Sequence, residues 1–442
     1  MPWLFFTAAL VSALFTANAL RPARGHWLLQ GAGFFASWFT GELAFHHLFW
    51  QAVAAAFFVY LGAARGVPGW AAIALLGASF GGLVVLAASS RTAERSVEEA
   101  LRATLGDRYR ESLPRELADP LDEPFGVRQL ALPLPVYDAR VERVRNVVYA
   151  THGGRELRLD IYRHRARGAE HKAPAPTLLW VHGGAWMIGK KDEQGLPLLV
   201  RLAAHGWVCA SIEYRLSPRA TFPDHIIDVK AAIRFMREHG AQFGADPGFI
   251  AISGGSAGGH LASLAALTPG DPEYQPGFEA ADTHVDACVP FYGVYDFTAR
   301  NKHWERSRLT ELLERYVMKR SRAEDFAAYD RASPMSRVNA EAPPFFVIQG
   351  THDTLVPVEE ARAFVELLRA ASRAEVAYAE IHRAQHAFEV FPSIRSARTL
   401  RGVERFLTWV YARHRARAGA AVEMARSHEE ARPEGTSEAG VA

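Results

Sequence analysis

At 442 residues the chain is long enough for one large domain and something more. Its 50 Lys and Arg against 48 Asp and Glu leave no global field, and no basic block interleaves with aromatics, which argues against a nucleic-acid partner. Two cysteines, Cys209 and Cys288, allow neither a disulfide framework nor a Cys-based metal centre; each lies in an apolar run and reads as a small buried thiol.

The first ninety residues differ from the rest. Residues 3–20 carry no charge and end at Arg21 and Arg24; residues 70–89 are again uncharged and are closed by Arg91 and Arg95. Each is close to the ~20 apolar residues that cross a hydrocarbon core of ~30 Å. Between them, residues 27–64 are apolar but interrupted by Glu42, His46 and His47. They read as one span at 44–64, preceded by a short aromatic segment in the interface; two crossings there would make four spans. Residues 1–90 are thus expected to form a transmembrane region with spans at 3–20, 44–64 and 70–89. A cleaved signal peptide would want a positively charged start, which is missing. With three spans, Arg21 and Arg24 share a side with the cluster Arg91, Arg95, Arg102, Arg108 and Arg110, and the positive-inside rule makes that side cytoplasmic. A fourth span would reverse the orientation. Glu42, His46 and His47 could form a proton or metal site; at a span boundary the headgroup region would solvate them, and that reading is taken.

Residues 91–117 have the pattern of a charged amphipathic helix, and a linker with Pro114, Pro120, Pro124, Pro133 and Pro135 extends to about 140. From 141, short β-branched runs alternate with helical periods. Strands are expected at 144–149, 156–162, 177–182, 207–213, 249–253, 285–291, 345–349 and 375–381. Helices are expected near 195–205, 224–239, 258–267, 358–370 and 396–413. This alternation predicts an α/β domain over 141–415, a mostly parallel sheet covered on both faces. The first two runs flank His152-Gly153-Gly154 and read as a hairpin. Residues 296–335, with Trp304 and a helical pattern at 308–318, are a candidate lid. Residues 416–442 are small, charged and contain Pro and Gly, and read as a disordered tail.

Four stretches carry chemistry. Leu178-Leu179-Trp180-Val181 ends in His182-Gly183-Gly184-Ala185-Trp186. A strand closing on paired glycines can turn backbone N–H groups to within about 3 Å of an oxyanion, since no side chain stands in the way. Gly183 and Gly184 are the expected donors, His182 fixes the loop, and Trp186 lines a substrate pocket. Next, Ile250-Ala251-Ile252-Ser253 runs into Gly254-Gly255-Ser256-Ala257-Gly258, and a helical pattern starts at once. Gly-x-Ser-x-Gly between a strand and a helix is a nucleophile elbow, a turn so tight that neighbours of the serine must lack bulk. A phosphate loop would need Gly-Lys-Ser/Thr, which is absent. Ser256 is the candidate nucleophile and Ala257 a further oxyanion donor.

Behind such an elbow the acid and the histidine follow the serine in that order. The apolar strand at 345–350 is followed by Thr351-His352-Asp353-Thr354-Leu355-Val356-Pro357, which sets Asp353 at a strand's carboxyl end, where such sheets place their sites. After one more helix and strand comes Ala384-Gln385-His386-Ala387-Phe388. Asp353 and His386 are the expected acid and base. His382 remains an alternative base and Asp296, after the strand ending at Tyr295, an alternative acid. His352 comes too early in the order, and His260 reads as packing. Tyr292 is a second candidate for the substrate pocket. No HExxH, Cys/His cluster or paired acidic motif suggests a metal.

Together, HGGAW, Tyr214-Arg215-Leu216-Ser217-Pro218 with Phe222-Pro223 and Asp228, GGSAGG, GTHDTLVP and QHAF resemble carboxylesterases related to the hormone-sensitive lipase family. They are also similar to the acetyl-xylan/feruloyl esterase-like and arylformamidase-like groups, over about residues 141–413. The resemblance implies an α/β-hydrolase fold with an eight-stranded sheet, a Ser–Asp–His triad, no cofactor, and ester cleavage through an acyl-enzyme. It implies Arg215 and Asp228 as buttresses behind the oxyanion loop. Hormone-sensitive-lipase relatives usually show HGGG and GDSAGG; here Ala185 replaces the third glycine and Gly255 the aspartate, which shifts the likeness toward the other two groups. The usual HGF reads His386-Ala387-Phe388. Fused N-terminal spans resemble those of certain bacterial lipase-like proteins and imply a small hydrophobic ester met at the lipid bilayer. Two other functions stay open: amide or formamide cleavage by the same triad, and a non-catalytic membrane scaffold, of which loss of a triad residue would be the signature.

Overall fold

The computed structural model describes residues 1–23, 27–132, 134, 136–167, 174–300, 304 and 308–430, with the side chains of 27–30 and 421–430 excepted. Arg24, Pro133, Pro135, parts of the candidate lid (301–303 and 305–307) and the tail from 431 lie outside the described residues.

The β-branched and aromatic runs pair into one sheet of eight strands: β1 (Val141–His152), β2 (Arg155–His164), β3 (Ala175–Val181), β4 (Val208–Ile212), β5 (Ala245–Gly255), β6 (Ala287–Phe291), β7 (Phe345–Gly350) and β8 (Val376–Ile381). Their order is β1-β2-β4-β3-β5-β6-β7-β8, antiparallel over the first three strands and parallel from β4 onward. The first hairpin closes at His152↔Arg155, and its two turn residues, Gly153 and Gly154, have φ of 55° and 79°. Every strand expected from the sequence is present, and the α/β-hydrolase expectation for this domain holds.

Alternation along β3 sorts the core into two layers. Leu179 and Val181 face Ile226, Val229 and Ile233 of a helix over Asp224–His239, and Leu261 and Leu264 of a helix over Ala257–Leu267. Leu178 and Trp180 face Leu198 and Leu202 of a helix over Leu196–Ala204, in a layer shared with Phe406 and Leu407 of the closing helix. Cys209 and Cys288 are free and buried within β4 and β6.

Ahead of this domain run α1 (Pro2–Leu20), α2 (Trp27–Glu42), α3 (Ala44–Tyr60), α4 (Gly66–Ser90) and α5 (Ala93–Leu105), with short helical turns after them. By length and composition, α1 and the run Gly66–Leu105 can each cross a membrane. Gly31–Glu42 and Ala44–Tyr60 meet at 90° and could serve as a third, broken span. α1 and α4 touch through small residues, as helices do where no water drives them together. A Cβ at Gly82 would lie 2.6 Å from Thr16 Cγ2, and Thr16 Oγ1 shares a 2.8 Å hydrogen bond with Ser79 Oγ.

Three expectations change. Glu42 and His46 are not left to headgroups: Glu42 is buried in an ion pair with Arg395, and His46 Nε2 lies 3.0 Å from the Ala131 carbonyl. An unpaired carboxylate is costly in an apolar setting, so a partner from elsewhere in the chain replaces solvent. The last helix, Ile394–Glu430, continues past residue 416, where the tail was expected to begin. Its Ala, Arg and Glu are good helix formers, and no proline intervenes before Pro433. The candidate lid sends part of its described side chains into the core: Phe297, Leu313, Val317 and Tyr329 are buried, as is Trp304, whose indole N–H donates to Glu360 Oε2 at 3.1 Å.

α5 lies against the closing helix so closely that a Cβ at Gly402 would come within 1.9 Å of Val97 Cγ1. Gly402→Ala should therefore lower stability by about 1–3 kcal/mol through overpacking, despite alanine's better helix propensity. Adding Val97→Ala should recover part of the loss. Thermal melting checks this; a raised midpoint in Gly402→Ala alone would show that the two helices are not tightly apposed.

Candidate active site

The turn from β5 into the helix at Ala257 holds Ser256 at φ 57°, ψ −121°, a region that costs an ordinary residue of order 1–3 kcal/mol. Two glycines permit it. A Cβ at Gly254 would lie 2.5 Å from the Val181 carbonyl oxygen, and one at Gly258 2.0 Å from the same atom. The Ser256 N–H donates to the Phe291 carbonyl at 3.0 Å, tying the elbow to β6. The hydroxyl is thereby presented at the carboxyl end of the central strands.

Asp353 follows β7 and is buried. Its Oδ1 accepts the N–H groups of Leu355 and Val356, both at 2.8 Å. Its Oδ2 accepts Gln349 Nε2 at 3.1 Å and faces His386 Nδ1 at 2.8 Å. A carboxylate fixed as acceptor makes Nδ1 the donor, which leaves Nε2 of His386 free to take a proton. Among the described residues the Ser256 hydroxyl makes no hydrogen bond to His386. Tyr292 connects the two: its ring lies 4.4 Å from that of His386, and a Cβ at Gly255 would meet its hydroxyl at 2.7 Å. That contact accounts for glycine at 255, since an aspartate there would collide with Tyr292.

The candidate oxyanion loop follows β3. Gly184 has φ +117°, and a Cβ there would sit 2.1 Å from the Ile188 carbonyl oxygen. His182 Nδ1 lies 2.7 Å from the Gly183 carbonyl, its ring stacks on Tyr214 at 4.4 Å, and burial lowers its pKa to about 4. Neutral and packed, His182 holds the loop. Arg215 clamps Asp228 through Nε and Nη2 at 2.8–3.0 Å, and Asp228 also accepts the Arg215 N–H at 2.8 Å. Gly183 departs from expectation: its N–H donates to Gln194 Oε1 at 2.7 Å. A buried N–H seeks an acceptor, and the Gln194 amide supplies one. The N–H groups of Gly184 and Ala257 have no protein acceptor among the described residues.

The other candidates are placed as follows. Asp296 spends its carboxylate on its own loop, accepting from the N–H groups of Thr298 at 2.8 Å and Arg300 at 2.9 Å. Asp353 is bonded to His386 and not to His382. His260 is buried between the Trp186 indole N–H at 3.2 Å and the Ala332 carbonyl at 2.8 Å, and burial lowers its pKa to about 3. Trp186 and Tyr292, expected to line a pocket, are both closed to solvent. Trp186 packs edge-on against Phe297, and the Tyr292 hydroxyl donates to Glu389 in a short hydrogen bond. A cavity of about 480 Å³ opens elsewhere, between the linker at Phe125 and Arg140 and the helix bearing Arg201.

Two residues escaped the sequence reading. Gln385 Oε1 accepts the N–H of Thr354 at 2.8 Å and of His386 at 2.9 Å, which joins the acid and base loops. Glu389 is buried beside Tyr292, and desolvation raises its carboxyl to about 7. The only sequence signal for it was a lone acid in an apolar run, Ala387-Phe388-Glu389-Val390-Phe391.

A family model described as BD-FAE matches residues 159–368. The probable carboxylic ester hydrolase LipM of Mycobacterium tuberculosis is 43% identical over 415 residues, 91% of this chain and 92% of LipM. Esterase LipQ of the same organism is 48% identical over 262 residues, 59% of this chain and 61% of LipQ. Among solved structures, a truncated carbohydrate esterase from gut microbiota has a TM-score of 0.51 at 25% identity, covering 62% of this chain and 97% of that one. The LipM match is too long to be confined to the sheet domain and reaches into the N-terminal helices. A likeness that spans both proteins almost end to end places the chain in the family of α/β-hydrolase carboxylic ester hydrolases to which LipM belongs.

Proposed function

We propose that the chain cleaves carboxylic esters through an acyl-enzyme formed on Ser256. The 2.8 Å pairing of Asp353 with His386, at the sheet end where Ser256 occupies a strained elbow, carries this reading. His386 Nε2 takes the Ser256 proton as Oγ attacks the ester carbonyl, and returns it to the departing alcohol. The N–H groups of Gly184 and Ala257 hold the oxyanion; Gly183 joins them when the Gln194 amide yields its acceptor position to the substrate oxygen. Water, activated by the same histidine, then releases the acid. Asp353 holds the tautomer and stabilises the imidazolium.

The substrate is a hydrophobic ester met at a bilayer, in a multi-pass membrane protein with the hydrolase domain on the cytoplasmic side. The apolar helices α1 and α4 support the membrane reading, and the arginines after α4 support the orientation.

On a p-nitrophenyl ester, Ser256→Ala and His386→Ala should each lower kcat by about 10⁴-fold or more, and Asp353→Asn by about 10³-fold to 10⁴-fold. His382→Ala should stay within about threefold of wild type. Wild-type turnover in Ser256→Ala, or a collapse in His382→Ala with His386→Ala active, would sink the assignment.

Glu389 gives the fold a pH dependence of definite sign. Its carboxyl titrates near 4.5 when solvated and at about 7 in the fold. Between these values the unfolded chain loses a proton that the folded chain keeps, so stability falls as pH rises from 4.5 to 7 and levels off above. Glu389→Gln should flatten that decline, by up to about 3 kcal/mol. Thermal midpoints of the two proteins across this range check it; identical slopes would refute it.

A further inference from the structure

We infer that α2 is a positioning element of the active site, holding the loop that carries His386 from both sides; this rests on the triad reading above. Gln385 and Ala387 flank the histidine, and each is bonded to a side chain of α2. Gln385 Nε2 donates to Ser37 Oγ at 2.7 Å, and the Trp38 indole N–H donates to the Ala387 carbonyl at 2.8 Å. The Ser37 hydroxyl in turn donates to the Phe34 carbonyl at 3.1 Å, so it faces Gln385 as a fixed acceptor. Phe34 lies edge-on to the His386 ring at 6.2 Å, and Trp38 packs on Phe391 at 4.8 Å.

The Ser37 bond reaches the acid as well as the base. The same Gln385 amide that donates to Ser37 accepts the N–H groups of Thr354, next to Asp353, and of His386 itself. Ser37 and Gln385 are both buried, so the bond between them is shielded from water. Farther along, Glu42 at the end of α2 is buried against Arg395 and accepts the Ser393 hydroxyl at 2.8 Å. α2 is thus fastened to the segment 385–395 by four polar contacts, two of which adjoin the histidine. A helix that served only to hold the enzyme on a membrane would need none of these contacts.

The consequence is that turnover of a water-soluble ester depends on α2. The test uses the full chain in detergent with a short-chain p-nitrophenyl ester. Ser37→Ala, which removes a hydroxyl, and Trp38→Phe, which removes the indole N–H together with part of the ring, should each lower kcat about tenfold with KM within about twofold, since a loosened base costs rate rather than binding. Both should displace the acid limb of the pH–rate profile, Ser37→Thr should restore the rate, and Val53→Ala in α3 should change nothing. Wild-type kcat and pH profile in both α2 variants, beside an inactive Ser256→Ala, would overturn this inference and leave the triad standing. So would a rate loss that tracks a lowered melting midpoint and is not restored by Ser37→Thr. An active Ser256→Ala would overturn both readings.

Discussion

The carbonyl oxygen of Val181 lies so close to the elbow that neither Gly254 nor Gly258 could carry a side chain. This one approach sets the distance between the ends of β3 and β5. It accompanies the positive φ of Ser256, and it brings the residues that follow β3, His182 to Gly184, beside that serine. A Cβ at Gly183 would lie 3.2 Å from Ser256 Cβ. The loop after β3 and the proposed nucleophile are therefore a single packed unit, and the cost of the strained serine is met by parallel pairing of β3 with β5 and of β5 with β6.

The proposed acid and base, Asp353 and His386, are a second unit, placed after different strands and joined by side chains. Asp353 is held by two backbone N–H groups and by Gln349, so its free oxygen direction is already aimed at His386. Gln385 ties the two loops together by their backbones. Tyr292 then sets the two units side by side, with its ring against His386 and its hydroxyl beside Gly255, anchored to the buried Glu389. Each contact limits how far the imidazole can wander from Ser256, which matters because proton transfer is sensitive to shifts of about 1 Å.

Much of this was legible in the amino-acid order. The eight strands announced themselves by short β-branched runs, and the elbow by glycines whose spacing serves one backbone shape. Asp353 and His386 followed from position relative to the strands. What could not be read depends on partners far apart in the chain. Ser37 and Gln385 are separated by 348 positions, and Glu42 and Arg395 by 353. An apolar helix such as α2 looks the same in sequence whether it meets lipid or protein. The commitment of the Gly183 N–H to Gln194 depends on the path of the loop after Ile188, and the burial of Trp186 on the positive φ of Ala185 and of Trp186 itself. Residues 416–430 form helix where a disordered tail is expected because the same small and charged residues suit both.

The proposed ester cleavage requires Ser256 to be an activated nucleophile. The most direct measurement is the mass-spectrometric mapping of the adduct left by a fluorophosphonate probe on the full-length chain. The structure predicts one adduct per chain, on the peptide containing Ser256, and none on Ser256→Ala. An adduct on another residue, or equal labelling of Ser256→Ala, would contradict it.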